Sequence, residues 1–389
     1  MKEQRSIYLD HNATSLPSEE VVAALRRAIE EGLGNPSSSH FVGRRARAVV
    51  ANSREAVASL AGCDPDRLVF TSGATESCNR VLERAARPGR PLPTLVVSSI
   101  EHAAVLAPFE LASRLGRRAF QVGVDADGLL DLASLADVIS DGNTLVSVQW
   151  VNNEIGVIQP IEHIARLCRD HGALLHIDAS QALGKVPMEL DSLGADLGVD
   201  FVSMSGHKIG APAGVGALYV RDRRTVAALQ VGGEQEYSRR AGTENLLGIC
   251  GFGAAALERK RTMPEVTARW SQLQRLLESS LPESCRINGR SAARVANTVS
   301  AVFPGVDASV LLARLDARGV YASQGSACHS ARPEPSHVLR AIGLSEADAY
   351  STIRFSFGPA TSAAEIESAV AILKSELQHF APRDIAAVA

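Results

Sequence analysis

The chain has 389 residues, of which 46% are hydrophobic and 21% charged, with a formal net charge of −3. That length suggests two or three domains at roughly 150 residues each, and so balanced a charge gives no global argument for binding nucleic acid or a membrane surface. Six cysteines without a C-x-x-C pair speak against a zinc ribbon or a disulfide scaffold.

In chain order, Ile7-Tyr-Leu-Asp10 reads as a short extended segment and His11 to Pro17 as a loop. Ser18 can cap a helix whose Val21, Val22, Leu25 and Ile29 fall on one face. Gly34-Asn-Pro-Ser-Ser-Ser-His40 is too dense in turn formers for a helix, and a second helix, rich in Arg and Ala, follows through Leu60. Apolar strands then recur at Leu68–Thr71, Thr94–Ser98, Ala119–Val122, Leu145–Val151, Ala173–Ile177 and Phe201–Met204. Helical stretches separate most of them, such as Ile161–His171 with Ile164, Ala165 and Leu167 inward. This alternation predicts βαβ units and a mainly parallel sheet covered on both faces. Val215–Val220 follows too closely for a crossover helix and is expected to run antiparallel to a neighbour.

Beyond about residue 250 the rhythm changes. A long helical region runs through Leu281, followed by a strand at Asn297–Phe303, a helix from Asp307 to Arg318, a Gly/Ser loop around Cys328 and a strand at Ile353–Ser356. Ser362 with Glu365 makes a capping box for a last helix. The expected architecture is α/β. A large domain over residues 15–255 holds a mainly parallel seven-stranded sheet, and a smaller α+β domain is made of residues 1–14 and 256–389. No apolar run reaches the roughly 18 residues of a membrane span, and Met1-Lys-Glu-Gln-Arg-Ser lacks the apolar stretch of a secretory signal. A cytoplasmic protein with reduced thiols is the expectation.

Three stretches carry chemistry. Phe201-Val-Ser-Met-Ser-Gly-His-Lys208 delivers a lysine to the end of a hydrophobic strand. Lysines are almost never fully buried without a partner. Lys208 is therefore either a side chain snorkelling out of a loop or a desolvated amine held for Schiff-base chemistry. Phe70-Thr-Ser-Gly-Ala-Thr-Glu-Ser77 sets a Gly/Ser/Thr turn between strand and helix. That suits a phosphate, or is an ordinary capped turn, and it lacks the spacing of a P-loop or a dinucleotide fingerprint. His176-Ile-Asp-Ala-Ser-Gln181 puts Asp178 at the carboxyl edge of a sheet, where ligands bind in open α/β folds. A carboxylate there is either a helix cap or the partner of a cation such as a protonated pyridine nitrogen. Together the three supply an anion cradle, a pyridinium partner and a lysine, which is what pyridoxal 5′-phosphate needs.

A series of motifs then resembles the cysteine desulfurases of the NifS/IscS type, within class V of the pyridoxal phosphate-dependent aminotransferases. They are Tyr8-Leu-Asp-His-Asn-Ala-Thr14, Gly34 to His40, Phe70 to Ser77, Glu101-His102, Val151-Asn-Asn-Glu-Ile-Gly-Val157 and His176 to Gln181. Further along come Ser205-Gly-His-Lys208, Arg239-Arg-Ala-Gly-Thr-Glu-Asn245, Gly325-Ser-Ala-Cys328 and Ile353-Arg-Phe-Ser-Phe-Gly358. The resemblance implies fold-type I, with Lys208 as Schiff-base lysine, Asp178 on the pyridine nitrogen and His102 stacked on the ring. It also implies Gln181 and Asn153 on the phenolic-oxygen or substrate side, and Ala74, Thr75, Ser205 and His207 on the phosphate. Thr243 resembles the residue that reaches the phosphate of a neighbouring subunit, which implies a homodimer. Arg354, assisted by Asn35, would grip the carboxylate of L-cysteine, a role suited to a planar fork.

Cys328 resembles the family's nucleophile, and the longer loop to Pro335-Ser-His-Val-Leu339 resembles the NifS/IscS subgroup rather than the SufS-like one. The loop is expected to be exposed and mobile, with His329 and Arg332 favouring a thiolate. Cys63, Cys78, Cys168, Cys250 and Cys285 are read as inert small hydrophobes. The implied reaction removes sulfur from L-cysteine, yielding L-alanine and a Cys328 persulfide for an acceptor protein, with no metal and no direct nucleic-acid contact. The acceptor's pathway stays open among iron–sulfur assembly, tRNA thiolation and DNA phosphorothioation. Departures from the family pattern are His11, Ser15, Ile209-Gly-Ala-Pro-Ala-Gly214, Leu193-Gly-Ala-Asp-Leu-Gly-Val-Asp200, Glu234 and Tyr237. Rival readings are another class V enzyme, such as an aminotransferase or a selenocysteine lyase, and a non-enzymatic sulfur relay. A metal site from Cys328, His329 and His207 lacks ligand spacing.

Overall fold

The computed structural model describes residues 6–84, 91–139, 143–228, 230–325 and 334–380. Its strands are β1 (Ile7–Tyr8), β2 (Leu68–Thr71), β3 (Thr94–Ser98), β4 (Ala119–Val122), β5 (Thr144–Gln149), β6 (Leu174–Asp178), β7 (Phe201–Ser205), β8 (Gly216–Val220), β9 (Arg286–Ile287), β10 (Thr298–Val302), β11 (Val320–Tyr321) and β12 (Thr352–Ser356). Seven of them form one sheet in the order β2-β8-β7-β6-β5-β3-β4. The pairs from β7 through β6, β5 and β3 to β4 are parallel, whereas β8 runs antiparallel to both β7 and β2. The seven-stranded, mainly parallel sheet and the antiparallel strand after the lysine turn are as the sequence predicts. Every residue of β5, β6 and β7 is buried, which explains why they read as continuous apolar runs rather than alternating ones.

A second sheet, β12-β10-β9, is antiparallel, and β1 pairs with β11 in parallel. One core lies on the large sheet, with Val57, Phe70, Val148, Ile177, Met204 and Phe252 among its members. Another gathers Trp270, Leu277, Phe303, Leu311, Phe355 and Ile366. The helix Leu246–Ser280 serves both: Ile249, Phe252 and Ala256 enter the first core, while Trp270, Leu273 and Leu277 enter the second. Pro264 sits between these two halves.

The helix Glu19–Glu30 is capped by Ser18, whose side chain accepts from Val21 N. It buries Val21 and Ala28, with Leu25 partly covered, but leaves Val22 at 42% and Ile29 at 63% exposure. The sequence reading put all four apolar residues on one face. At 100° per residue the buried stripe follows 21, 25 and 28, so 22 and 29 lie to its side.

Three arrangements position the site. The parallel strands β5, β6 and β7 end on one edge, with Asp178 in register with Gln149 on one side and Ser203 on the other. Gly216 opens β8 where a Cβ would lie 2.5 Å from Met204 O and 2.6 Å from Gly73 Cα, so only glycine lets β8 approach the turn after β2 this closely. The segment His11–Ser15 bridges the two sheets: His11 N donates to Ser356 O on β12 (3.3 Å), and Ser15 N to His207 O in the lysine turn (2.9 Å). Among the described residues no helix is long and apolar enough to cross a membrane.

Candidate active site

β7 ends at Ser205 and passes into the short turn Gly206–Ile209, which carries Lys208. Gly206 N bonds back to Val215 O (3.0 Å), closing the hairpin and turning the lysine over the sheet edge. Lys208 Nζ donates to the main-chain oxygens of Asn12 (2.7 Å) and Ala13 (2.9 Å). The side chain therefore points inward beneath the N-terminal segment, and the surface-snorkelling alternative does not describe it. Asp178, buried at the end of β6, accepts from Ser180 N (2.9 Å) and Ser180 Oγ (2.5 Å). Among the described residues no cation is paired with it, so a buried carboxylate edge faces the cleft without a countercharge.

His102 caps the helix Ala103–Arg114, its Nδ1 accepting from Ala104 N (3.1 Å). That bond leaves Nε2 as the nitrogen free to carry a proton. The ring is open to solvent on one side, yet burial of its surroundings lowers its pKa; Asp178 opposes that shift, while Lys208 and His337 add to it. Asp178 and Lys208 thus both lie within electrostatic reach of His102. Glu101 lies behind them, fully buried. Its Oε1 accepts from Gln149 N (2.8 Å), and its Oε2 has no hydrogen-bond partner among the described residues. Burial holds this carboxyl well above the usual carboxylate range, and the nearby Asp178 adds to that.

The helix Ala74–Arg84 begins directly after the Ser72-Gly73 turn. Ser77 N is the first amide to bond back, to Gly73 O (3.3 Å), so Ala74 and Thr75 present main-chain N–H groups that have no intrahelical partner. The Glu76 side chain is engaged elsewhere, accepting from Ser72 N (2.8 Å) and pairing with Arg240 (3.1 Å). Ser205 is buried at the end of β7. His207 Nδ1 lies 3.1 Å from Thr14 Oγ1, and burial with the Lys208 charge pushes its pKa down to about 4. The ring is therefore neutral near pH 7.

On the opposite wall Arg354, in β12 and 3% exposed, is already engaged. Nη2 pairs with Asp10 Oδ1 (2.6 Å), and Nη1 donates to Asn153 O (3.0 Å) and Gly325 O (3.1 Å). Among the described residues its Nε has no partner, and that is a donor available to an incoming carboxylate. Gln181 Nε2 donates to Asn12 O (2.9 Å), so Gln181, Lys208, Asn12 and Asn153 are joined in one hydrogen-bond set. Asn35 is not joined to it. Its Oδ1 caps its own turn at Ser37 N (2.8 Å), and among the described residues it shares no bond with Arg354. Thr243 is exposed on the loop before the long helix.

Cys328, with His329 and Arg332, lies outside the described residues. Both flanks of that stretch are tied to the site, Gly325 O to Arg354 and Ser336 Oγ to Glu154 Oε2 (2.6 Å). The five described cysteines are all free. Burial raises each thiol: Cys63 and Cys168 to about 12, Cys285 to about 11, Cys250 and Cys78 upward as well. They remain thiols at neutral pH and are poor nucleophiles.

Sequence reasoning passed over Asn12, Asp10, Lys185 and Glu154. Asn12 is the hub: besides receiving Lys208 and Gln181 on its main-chain oxygen, its Nδ2 donates to Thr298 Oγ1 (2.9 Å) and Asn153 O (3.1 Å). Nothing local in the sequence marks it. Lys185 had a signal, since it stands four residues after Gln181 and one helical turn brings such a pair together.

Comparison with known proteins agrees with this geometry. The aminotransferase class V profile matches residues 7–368. The cysteine desulfurase NifS of Azotobacter vinelandii is 37% identical over 371 residues, covering 94% of this chain and 90% of that protein. The cysteine desulfurase IscS of Dictyoglomus turgidum is 35% identical over 379 residues, covering 95% and 94%. The X-ray structure of a NifS-like protein from Rickettsia africae superimposes with a TM-score of 0.86 at 29% identity, over 96% of this chain and all of that one. The fold and cleft define a class V aminotransferase of fold-type I. Within that class the chain belongs to the cysteine desulfurases of the NifS/IscS type. These are pyridoxal phosphate enzymes, and the residues present fit the cofactor. A buried carboxylate with which no described cation is paired, helix-start amides without intrahelical partners and an inward lysine are the groups its ring nitrogen, phosphate and aldehyde call for.

Proposed function

We propose that this pyridoxal phosphate-dependent cysteine desulfurase takes sulfur from L-cysteine, releases L-alanine and stores the sulfur as a persulfide on Cys328. The observation that carries the reading is that Asp178 and Lys208, each at the end of a neighbouring parallel strand, both lie within electrostatic reach of His102. Lys208 anchors the cofactor and Asp178 holds its ring nitrogen. Ala74 and Thr75 bind the phosphate through their amides, with Ser205 and His207 beside them. When bound, the cofactor supplies an electron sink for the bonds broken at the substrate carbons.

The chain's own residues do the rest. The Nε of Arg354, which no described residue engages, orients the substrate carboxylate, while Asn153 and Gln181 border the phenolic-oxygen side. The Lys208 amine would take the proton from the substrate Cα, and His102 Nε2 would hold or return a proton beside it. The Cys328 thiolate attacks the substrate sulfur: an S–S bond forms and the C–S bond breaks. The electron pair of that bond stays on the carbon product, which takes up a proton at Cβ, regains one at Cα and leaves as L-alanine. This is covalent catalysis, with sulfur never set free as sulfide.

Thr243 is assigned to the phosphate of a second subunit, so the working unit is a homodimer. The exposure of Thr243 supports this, as do exposed apolar residues on two packed helices (Val22 and Ile29 on Glu19–Glu30, Leu247 and Leu257 on Leu246–Ser280). An acceptor protein takes the persulfide. The cytoplasm, where thiols stay reduced, is the proposed location, in keeping with the five free cysteines. A borohydride-treated digest tests the site: the cofactor is expected on the Lys208 peptide, and Lys208→Ala is expected to retain none. Cofactor fixed to another peptide contradicts the assignment.

A further inference from the structure

Five of the chain's forty Lys and Arg residues are lysines, at positions 2, 185, 208, 260 and 374. Lys260 and Lys374 are exposed. Lys185 is the opposite: 6% exposed, it lies in the turn after β6 and directs its Nζ to two side-chain oxygens. These are Asn12 Oδ1 at 2.9 Å and Gln181 Oε1.

The surroundings are wrong for a cation. The groups that act on Lys185 are Lys208, Arg259 and Arg354, all basic, and the neighbouring His11 responds to the Lys185 charge in turn. Among the described residues no carboxylate is paired with Lys185; the nearby Asp10 is committed to Arg354. An ammonium brings three donors, whereas a neutral amine brings two, and two acceptors are present. Burial, reinforced by the three cations, holds this amine well below the usual lysine range. Arginine, which stays charged, could not take this form.

The two bonds have a directional consequence. A carboxamide has a donor end and an acceptor end, and both N–H bonds of a neutral amine are spent here on carboxamide oxygens; turning Gln181 over would lose one of these bonds and set its oxygen against the Asn12 main-chain oxygen. With its oxygen held by Lys185, Gln181 is left to donate through Nε2, now to Asn12 O. With Oδ1 held as well by Lys185 and by Asn297 Nδ2 (3.1 Å), Asn12 is left to donate through Nδ2 to Thr298 and Asn153. Asn12 O is also where Lys208 Nζ is bound.

We infer that Lys185 is a positioning residue, an uncharged amine that locks the Gln181 and Asn12 carboxamides so that Gln181 offers only its N–H end to the cofactor and the main-chain oxygen of Asn12 stays in register with Lys208. The part concerning Gln181 rests on the cofactor-site reading above; the state of the amine does not.

Two measurements test it. In full-length protein without cofactor, labelled with 13C at lysine Cε, five signals are expected. Lys260→Gln, Lys374→Gln and Lys208→Ala assign three of them, and Lys185→Met removes a fourth. The Lys185 signal is expected at the neutral-amine position at pH 7.5. A Lys185 signal at the ammonium position there, titrating near the ordinary lysine value, overturns the inference, and this result is readable even if the Met variant does not fold. In the holoenzyme, Lys185→Met and Lys185→Arg are both expected to move the pH midpoint of the bound-cofactor absorbance by about one unit, with the thermal midpoint kept within a few degrees for Met. A wild-type absorbance midpoint in both variants overturns the positioning role. Gln181→Ala separates the two readings: if it leaves that midpoint unmoved while Lys185→Met moves it, the assignment of Gln181 to the cofactor fails and the clamp of Gln181 with it.

Discussion

Replacing Arg54 with Met removes the guanidinium that holds the strand leading into the Ser72-Gly73 turn. Arg54 is buried in the helix Phe41–Ala61, where Nη2 meets Glu236 Oε1 at 2.6 Å and Nη1 meets Glu236 Oε2 at 2.9 Å, a bidentate pair closed off from solvent. Nη1 also donates to Leu68 O (2.9 Å), Glu236 Oε2 accepts from Phe70 N (2.8 Å), and the guanidinium lies 4.7 Å from the Phe70 ring centre. β2 is thus fixed at both Leu68 and Phe70 to one ion pair. Glu236 sits at φ +50°, followed by Tyr237 at +57° and Ser238 at +62°, a left-handed run that persists only where other contacts over-determine it. Methionine keeps the volume of the stem but leaves Glu236 as a buried charge without its partner, for which about 3 to 5 kcal/mol is the expected loss. Urea unfolding followed by circular dichroism should show this loss. Adding Glu236→Gln should recover a large part of it, because the uncompensated charge is then gone. A loss under about 1 kcal/mol in Arg54→Met, or no recovery in the double variant, would refute the claim that this pair is desolvated and holds β2.

Gly325 has φ +100°, and a Cβ there would lie 2.8 Å from Glu154 Oε2. Gly325→Ala is expected to cost about 1 kcal/mol or more and to slow sulfur transfer while leaving the cofactor absorbance as in the wild type; an unaltered rate of alanine release sinks this prediction. His176 is fully buried between Ser147 Oγ and Ser203 Oγ (2.8 Å each), and burial pushes its pKa down to about 4. Its folded pKa lies below the ordinary value, so the unfolded chain binds the proton first. Stability present above about pH 6.5 should therefore fall, by up to about 3 kcal/mol, as pH drops toward 4. His176→Gln should flatten the pH dependence of the urea midpoint in that window, and an unchanged slope counts against it. Arg354→Lys loses the planar fork that serves Asp10, Asn153 and Gly325 together. The Michaelis constant for L-cysteine should rise tenfold or more, about 1.4 kcal/mol per decade, and a wild-type value would remove Arg354 from the substrate site.

Much of the fold was legible because the central strands are buried on both faces. β5, β6 and β7 stand out as apolar runs, and their polar ends, Asp178 and Ser205 with Lys208 just beyond, mark the ligand edge. What escaped is what the chain assembles across distance. Asp10 and Arg354 are 344 positions apart, and Asn12 reaches Lys208 over 196; no periodicity carries such a contact. The Val22 and Ile29 misassignment has another cause: a wide apolar stripe does not say which of its margins meets the core. Lys185 was overlooked because buried lysines are rare, so a lysine in a polar turn reads as solvated.

The assignment of this cleft to sulfur removal stands or falls with Cys328 as the group that receives the sulfur. The most direct measurement is L-alanine formed from L-cysteine by purified Cys328→Ala carrying its cofactor, alongside the intact mass of the wild-type Cys328 peptide after one turnover. Alanine release is expected to be abolished in the variant, with an undiminished cofactor absorbance and a gain of one sulfur on the wild-type peptide. Alanine formation at the wild-type rate in Cys328→Ala would contradict the assignment.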